Sequence, residues 1–172
     1  PEVYLEDADV ASHIERIHKT MQQYVADGTL RTLPAGAVLT ERWSGGSAPR
    51  RGIVLAVDLE AYEYTPGSAS LIRPTEKTVV ERIPPRLKVR EGACLELPHI
   101  MILIDDPDRR IIEPLFEKTG SFSKLYDTDL MQNGGHITGW FIPQGKDTDA
   151  IESGLEALCD RETFNAKYGC TD

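Results

Sequence analysis

The sequence predicts an α+β fold: a mainly antiparallel sheet built from two hairpins and a central buried strand, with helices at both ends packed on it. Three observations lead there. An apolar stripe at helical spacing opens the chain, two β-rich stretches are each split by a Gly-rich turn, and a second helical pattern closes it. With 172 residues, the chain is the length of one domain with a core of its own, expected over 1–172.

The first helix is expected from about 10 to 27. Val10, Ile14, Ile17, Met21 and Val25 recur every three or four residues. Asp9 suits the N-cap and Gly28 the left-handed residue beyond the end. Ala37–Trp43 and Arg51–Leu59 read as strands of a hairpin joined by Ser44-Gly45-Gly46-Ser47-Ala48-Pro49. His99–Ile104, short and rich in β-branched apolar residues, reads as the central buried strand, ending at Asp105-Asp106-Pro107. Pro114 breaks any helix through 107–118 and leaves a short helical turn over Pro114–Thr119. Leu125–Met131 and His136–Ile142 flank Asn133-Gly134-Gly135 and form the second hairpin. Asp149-x-x-Glu152 resembles a capping box for a helix that buries Ile151, Leu155 and Leu158. A last helical turn covers Glu162–Lys167.

Composition narrows the function classes. The chain carries a net charge of −9, the wrong sign for a protein that binds nucleic acid by broad phosphate neutralisation. Its apolar runs, of which Ile100–Ile104 is as long as any, are far too short to span a membrane. Cys94, Cys159 and Cys170 make neither a disulfide framework nor a zinc-ligand spacing and read as reduced thiols of a cytoplasmic protein. The chain begins at Pro1 without an initiator Met, and is expected to be a fragment whose partners include the remaining segments of its own full-length chain.

The segment from Arg73 to Glu91 departs from the acidic background. Six cations (Arg73, Lys77, Arg82, Arg86, Lys88, Arg90) face three carboxylates (Glu76, Glu81, Glu91), a local charge of +3. Such an island attracts a small anion because the local field acts at contact range. Arginine forks hold phosphate or carboxylate bidentately, and the glutamates would orient them. The expected site is therefore an Arg/Glu-rich loop binding a small anionic or phosphorylated metabolite through Arg73, Glu76, Glu81, Arg82, Arg86 and Arg90, with His99 beside it. The alternative is a non-catalytic interaction or regulatory module whose charged loop pairs with another domain or subunit. Asp105-Asp106 has the look of a Mg²⁺ pair, but Asp before Pro is also ordinary turn chemistry. His136 after two glycines is explained by a hairpin turn. The residues themselves give no metal site and leave any cofactor unknown.

Four segments together resemble a bacterial family, domain of unknown function 1015, in its clostridial-type branch. They are R-G-I-V-L-A-V-D-L-E-A-Y at 51–62, R-P-T-E-K-T-V-V-E-R-I-P-P-R at 73–86, L-P-H-I-M-I-L-I-D-D-P at 97–107 and L-Y-D-T-D-L-M-Q-N-G-G-H-I-T-G-W at 125–140. The resemblance implies a central fragment, since members are typically longer at both ends. It also implies a missing downstream motif of Asp-Gly-Asn/His-His type, similar to that of the ParB and sulfiredoxin-like group, which includes nucleotide-using kinases. Catalysis would need that motif, with a nucleotide and Mg²⁺ as the cofactors it implies. Where the family tends to read His-Glu this chain has Thr75-Glu76, which removes a titratable group, while Glu81-Arg82 matches the family's acidic-Arg pair.

Overall fold

A computed structural model describes residues 9–46, 48–61, 63, 65, 72, 78–158 and 160–169. The chain divides into two compact units, one from 1–32 and 74–103 and the other from 33–73 and 104–172.

The first unit holds α1 (Val10–Ala26) and α2 (Ile83–Arg90). α1 forms where its apolar stripe and caps require it: Asp9 accepts a hydrogen bond from Ser12 N at 3.1 Å. Beyond Asp27, Gly28 takes φ +78°. The two helices are tied by His18, whose ring N–H donates to Val89 O at 2.8 Å. Neither helix contains a fully buried residue.

The second unit is built on one antiparallel sheet of β1 (Gly36–Trp43), β2 (Arg50–Val54), β3 (Ser123–Asp129) and β4 (His136–Pro143), in the order β2-β1-β4-β3. Both hairpins of the sequence reading are present. Their central strands pair with each other, Leu39 opposite Trp140 and Ala37 opposite Ile142. α3 (Glu113–Phe116), α4 (Lys146–Leu158) and α5 (Arg161–Tyr168) follow the same unit. Alternation puts Ala37, Leu39 and Ile142 on one face, where Ile111, Leu115 and Ile151 close over them as the core. Leu39 and Ile142 are wholly buried. The β3–β4 turn requires Gly135: it sits at φ +89°, and a Cβ there would lie 1.7 Å from Trp43 O.

The structure departs from the sequence reading in four places. The run 99–104 forms no strand, and Ile100, Met101 and Leu103 are 87%, 72% and 78% exposed. Its β-branched residues favour an extended backbone, but among the described residues no strand pairs with it. β2 stops at Val54 rather than Leu59. Val38 already faces Val54, so β1 ends two residues further on at Gly36, and Asp58 instead caps the 3-10 turn Leu59–Ala61, accepting from Glu60 N at 3.0 Å. α4 opens at Lys146, ahead of Asp149, with the Thr148 hydroxyl bonded to both the N–H and the C=O of Gly145. Half of the expected loop 73–91 is helical: Pro84 and Pro85 occupy the first turn of α2, where a missing N–H costs nothing. Among the described residues no helix is long and apolar enough to cross a membrane.

Candidate functional site

Of the sequence-predicted site residues, Glu81, Arg82, Arg86, Arg90 and His99 fall in the first unit, and Arg73 and Glu76 lie outside the described residues. A 3-10 turn, Val80–Arg82, leads into α2 and presents Glu81 and Arg82 to solvent. Arg82, Arg86 and Arg90 then follow at four-residue spacing, exposed. Four residues exceed one helical turn by only about 40°, so Arg86 and Arg90 lie on one side of α2, and Arg82 is its N-cap residue. Arg90 is fixed in place by Glu96: its Nε and Nη2 both donate to the carboxylate, the latter at 2.9 Å. That bidentate bond holds the Glu96 carboxyl below its usual range. His99 is exposed in the extended run.

These arginines form a ridge. A groove of about 500 Å³ does lie between α1 and α2, with Val10, Ile14, His18, Lys88 and Glu91 on its walls. None of the three described arginines lines it. The arrangement offers a row of cationic forks to a surface laid along α2, and α2 ends with Lys88 and Arg90 in its last turn, favourable at the negative end of the helix dipole.

A second constellation, in the other unit, escaped the sequence reading. Hairpin register sets Asp129 opposite His136 and Asp127 opposite Thr138, all on one face. The His136 ring lies between the two carboxylates, Nδ1 at 2.7 Å from Asp129 Oδ1 and Nε2 at 2.6 Å from Asp127 Oδ1. Lys124 donates to Asp127 Oδ2 at 2.6 Å, and Thr138 Oγ1 donates to Asp127 Oδ1 at 3.3 Å. Two acceptors facing two ring nitrogens require both nitrogens to carry hydrogen, which is the imidazolium. Its bonds to Asp129 and then Asp127 raise the His136 pKa, while Lys124 first and His136 second draw Asp127 down to about 2. The available signal was the Asn133-Gly134 turn, which fixes the register once the hairpin is accepted.

A pH dependence follows. A group with a raised folded pKa contributes stability that is complete below its unfolded value, about 6.5 for histidine, and lost as pH rises through the folded one. Asp127 works in the opposite direction, its contribution present above the unfolded carboxylate range and lost as pH falls toward 2. The melting temperature of the protein should therefore fall as pH rises above about 6.5 by more than that of His136→Asn. An NMR titration of the His136 ring checks the assignment; a midpoint at or below 6.5 contradicts it.

Asp105 and Asp106 do not act as a pair. Lys167 of α5 donates to both oxygens of Asp105 at 2.7 and 2.6 Å, lowering the Asp105 pKa and raising its own. Asp106 instead accepts from Ile111 N through Oδ2 at 2.9 Å, ordinary turn chemistry. Cys94 is a free, exposed thiol.

The sequence profile of the family described as Protein of unknown function (DUF1015) matches residues 1–160, and the chain belongs to that family. No curated protein and no solved structure matches the chain.

Proposed function

We propose that this family member works by binding, and that the arginine ridge on α2 receives an acidic surface of another domain or subunit. The observation that carries this reading is the solvent exposure of Arg82, Arg86 and Arg90, with Arg90 set by Glu96 and none of the three lining the α1–α2 groove. Metabolite sites are concave and bury most of their ligand between apolar walls. A row of exposed forks on a helix suits an extended acidic partner instead, and its charges steer the encounter.

A second reading keeps the same residues. Arg73, Glu76, Glu81, Arg82, Arg86, Arg90 and His99 would hold a small anionic or phosphorylated metabolite, within a nucleotide-using enzyme completed by other segments. The density of cations in an otherwise acidic chain supports it. Either way the thiols and the soluble-type composition support action in the cytoplasm.

The two readings part in one experiment. A fluorescent polyglutamate peptide titrated into the protein should bind in a strongly salt-dependent way. Replacing Arg82 and Arg86 by Ala should weaken it about tenfold at low salt while leaving the melting temperature unchanged. Unchanged affinity in that variant overturns the ridge as the contact. Saturable stabilisation by a phosphorylated metabolite or a nucleotide with Mg²⁺, lost in Arg82→Ala, replaces the first reading by the second.

A further inference from the structure

Arg109 is one of the three residues other than glycine with positive φ among those described, at +54°. The left-handed region disfavours a side chain with a Cβ, and glycine or asparagine is the usual choice there. The turn is locked on both sides of it. Arg109 N donates to Asp106 O at 3.1 Å, and Ile111 N to Asp106 Oδ2 at 2.9 Å, while Ile111 itself is in the core. The next residue, Arg110, pairs with Asp108. Arg109 has no ion pair among the described residues and lines a cleft of about 300 Å³ with Ala48, Pro49, Arg51 and Glu113.

Arg51, on β2, is the second cation of that cleft. Its Nε donates to Glu41 Oε2 at 2.9 Å, and its guanidinium carbon lies 4.3 Å from the centre of the Phe116 ring. Phe116 in turn meets Trp140 edge-on at 5.8 Å. The other oxygen of Glu41 faces Trp43 Nε1 at 3.4 Å. Arg51 is thus held by one carboxylate and one ring before any ligand arrives, which reduces the ordering cost of binding. Glu41 balances Arg51, so Arg109 is the cation of the lining not already in an ion pair among the described residues, and strained backbone held at a cleft points from geometry to function.

We infer that Arg51 and Arg109 bind the oxyanion of a small metabolite, a phosphate or carboxylate group, with Glu113 accepting from an ammonium or hydroxyl on the same molecule. The cleft volume is at the low end for ligand sites, so the ligand is small. Ala48 and Pro49 supply its apolar wall. This site rests on other residues and another unit than the α2 ridge, so either stands if the other fails.

Calorimetric titration with inorganic phosphate, acetate and phosphoethanolamine tests it. Phosphate or acetate should bind saturably, whichever is tighter naming the class of oxyanion, and phosphoethanolamine more tightly than phosphate. Arg109→Gly should weaken binding about tenfold or more without lowering the melting temperature, because it removes the guanidinium and relieves the backbone. Arg51→Lys, which keeps the charge and loses the fork, should weaken it as well. Glu113→Gln should leave phosphate binding intact and erase the advantage of phosphoethanolamine. The inference is overturned if no probe binds, if Arg109→Gly binds as tightly as the parent, or if Arg109→Gly melts lower, which would make the arginine structural.

Discussion

Gly135→Ala costs this protein about 3 kcal/mol or more of stability, measured by urea denaturation. Two penalties coincide. The residue sits at φ +89°, and its added Cβ would lie 1.7 Å from Trp43 O and 2.8 Å from Trp43 C. Those atoms are backbone of β1, paired with β4 through Trp43 and His136, so they cannot turn aside as a side chain would. Relief requires opening the end of the β1–β4 ladder, where Leu130 N also donates to Gly135 O at 2.7 Å. Gly28→Ala is the control: φ is +78°, yet nothing lies within 4 Å of the new Cβ. It should cost about 1 kcal/mol, the conformational penalty alone. Equal losses in the two variants would mean that the close approach to Trp43 does not exist.

Leu39→Ala should cost about 2–5 kcal/mol, because Leu39 is wholly buried and the surrounding core can collapse only in part. It lies between β2 and β4, opposite Ile53 and Trp140, with Ile142 and Ile151 in the same cluster. Thermal unfolding reads this as a drop of about 2–4 °C per kcal/mol. Ile100→Ala provides the contrast. At 87% exposure it should change stability by no more than about 0.5 kcal/mol. A loss comparable to that of Leu39→Ala would return the run 99–104 to a buried strand.

Local patterns made much of the fold legible. Val10, Ile14, Ile17 and Met21 marked α1, the Asp9 cap and Gly28 marked its ends, and the glycines at 45–46 and 134–135 marked both hairpins. What failed did so where a neighbour decides. A β-branched run becomes a strand only if another strand offers its ladder, and among the described residues none pairs with 99–104. The segment read as a loop instead opens α2 at Pro84 and Pro85, because the effect of proline depends on position within the helix.

The candidate sites divide in the same way. The cation density of 73–91 and the spacing of Arg82, Arg86 and Arg90 were visible in the chain, since helical periodicity is local. The clamp of Glu96 on Arg90 depends on the turn at Gly92 and could not be read. The His136 cluster needed the hairpin register. The cleft that Arg51 and Arg109 both line joins residues far apart in sequence through a left-handed turn that no motif announces.

The most direct test of binding through α2 is the arginine Nε–Hε NMR spectrum during a titration with the acidic peptide. The Arg82 and Arg86 signals should move together and saturate, while Arg51 and Arg109 stay in place. Movement confined to Arg51 and Arg109, or no movement at all, would contradict the ridge as the contact surface.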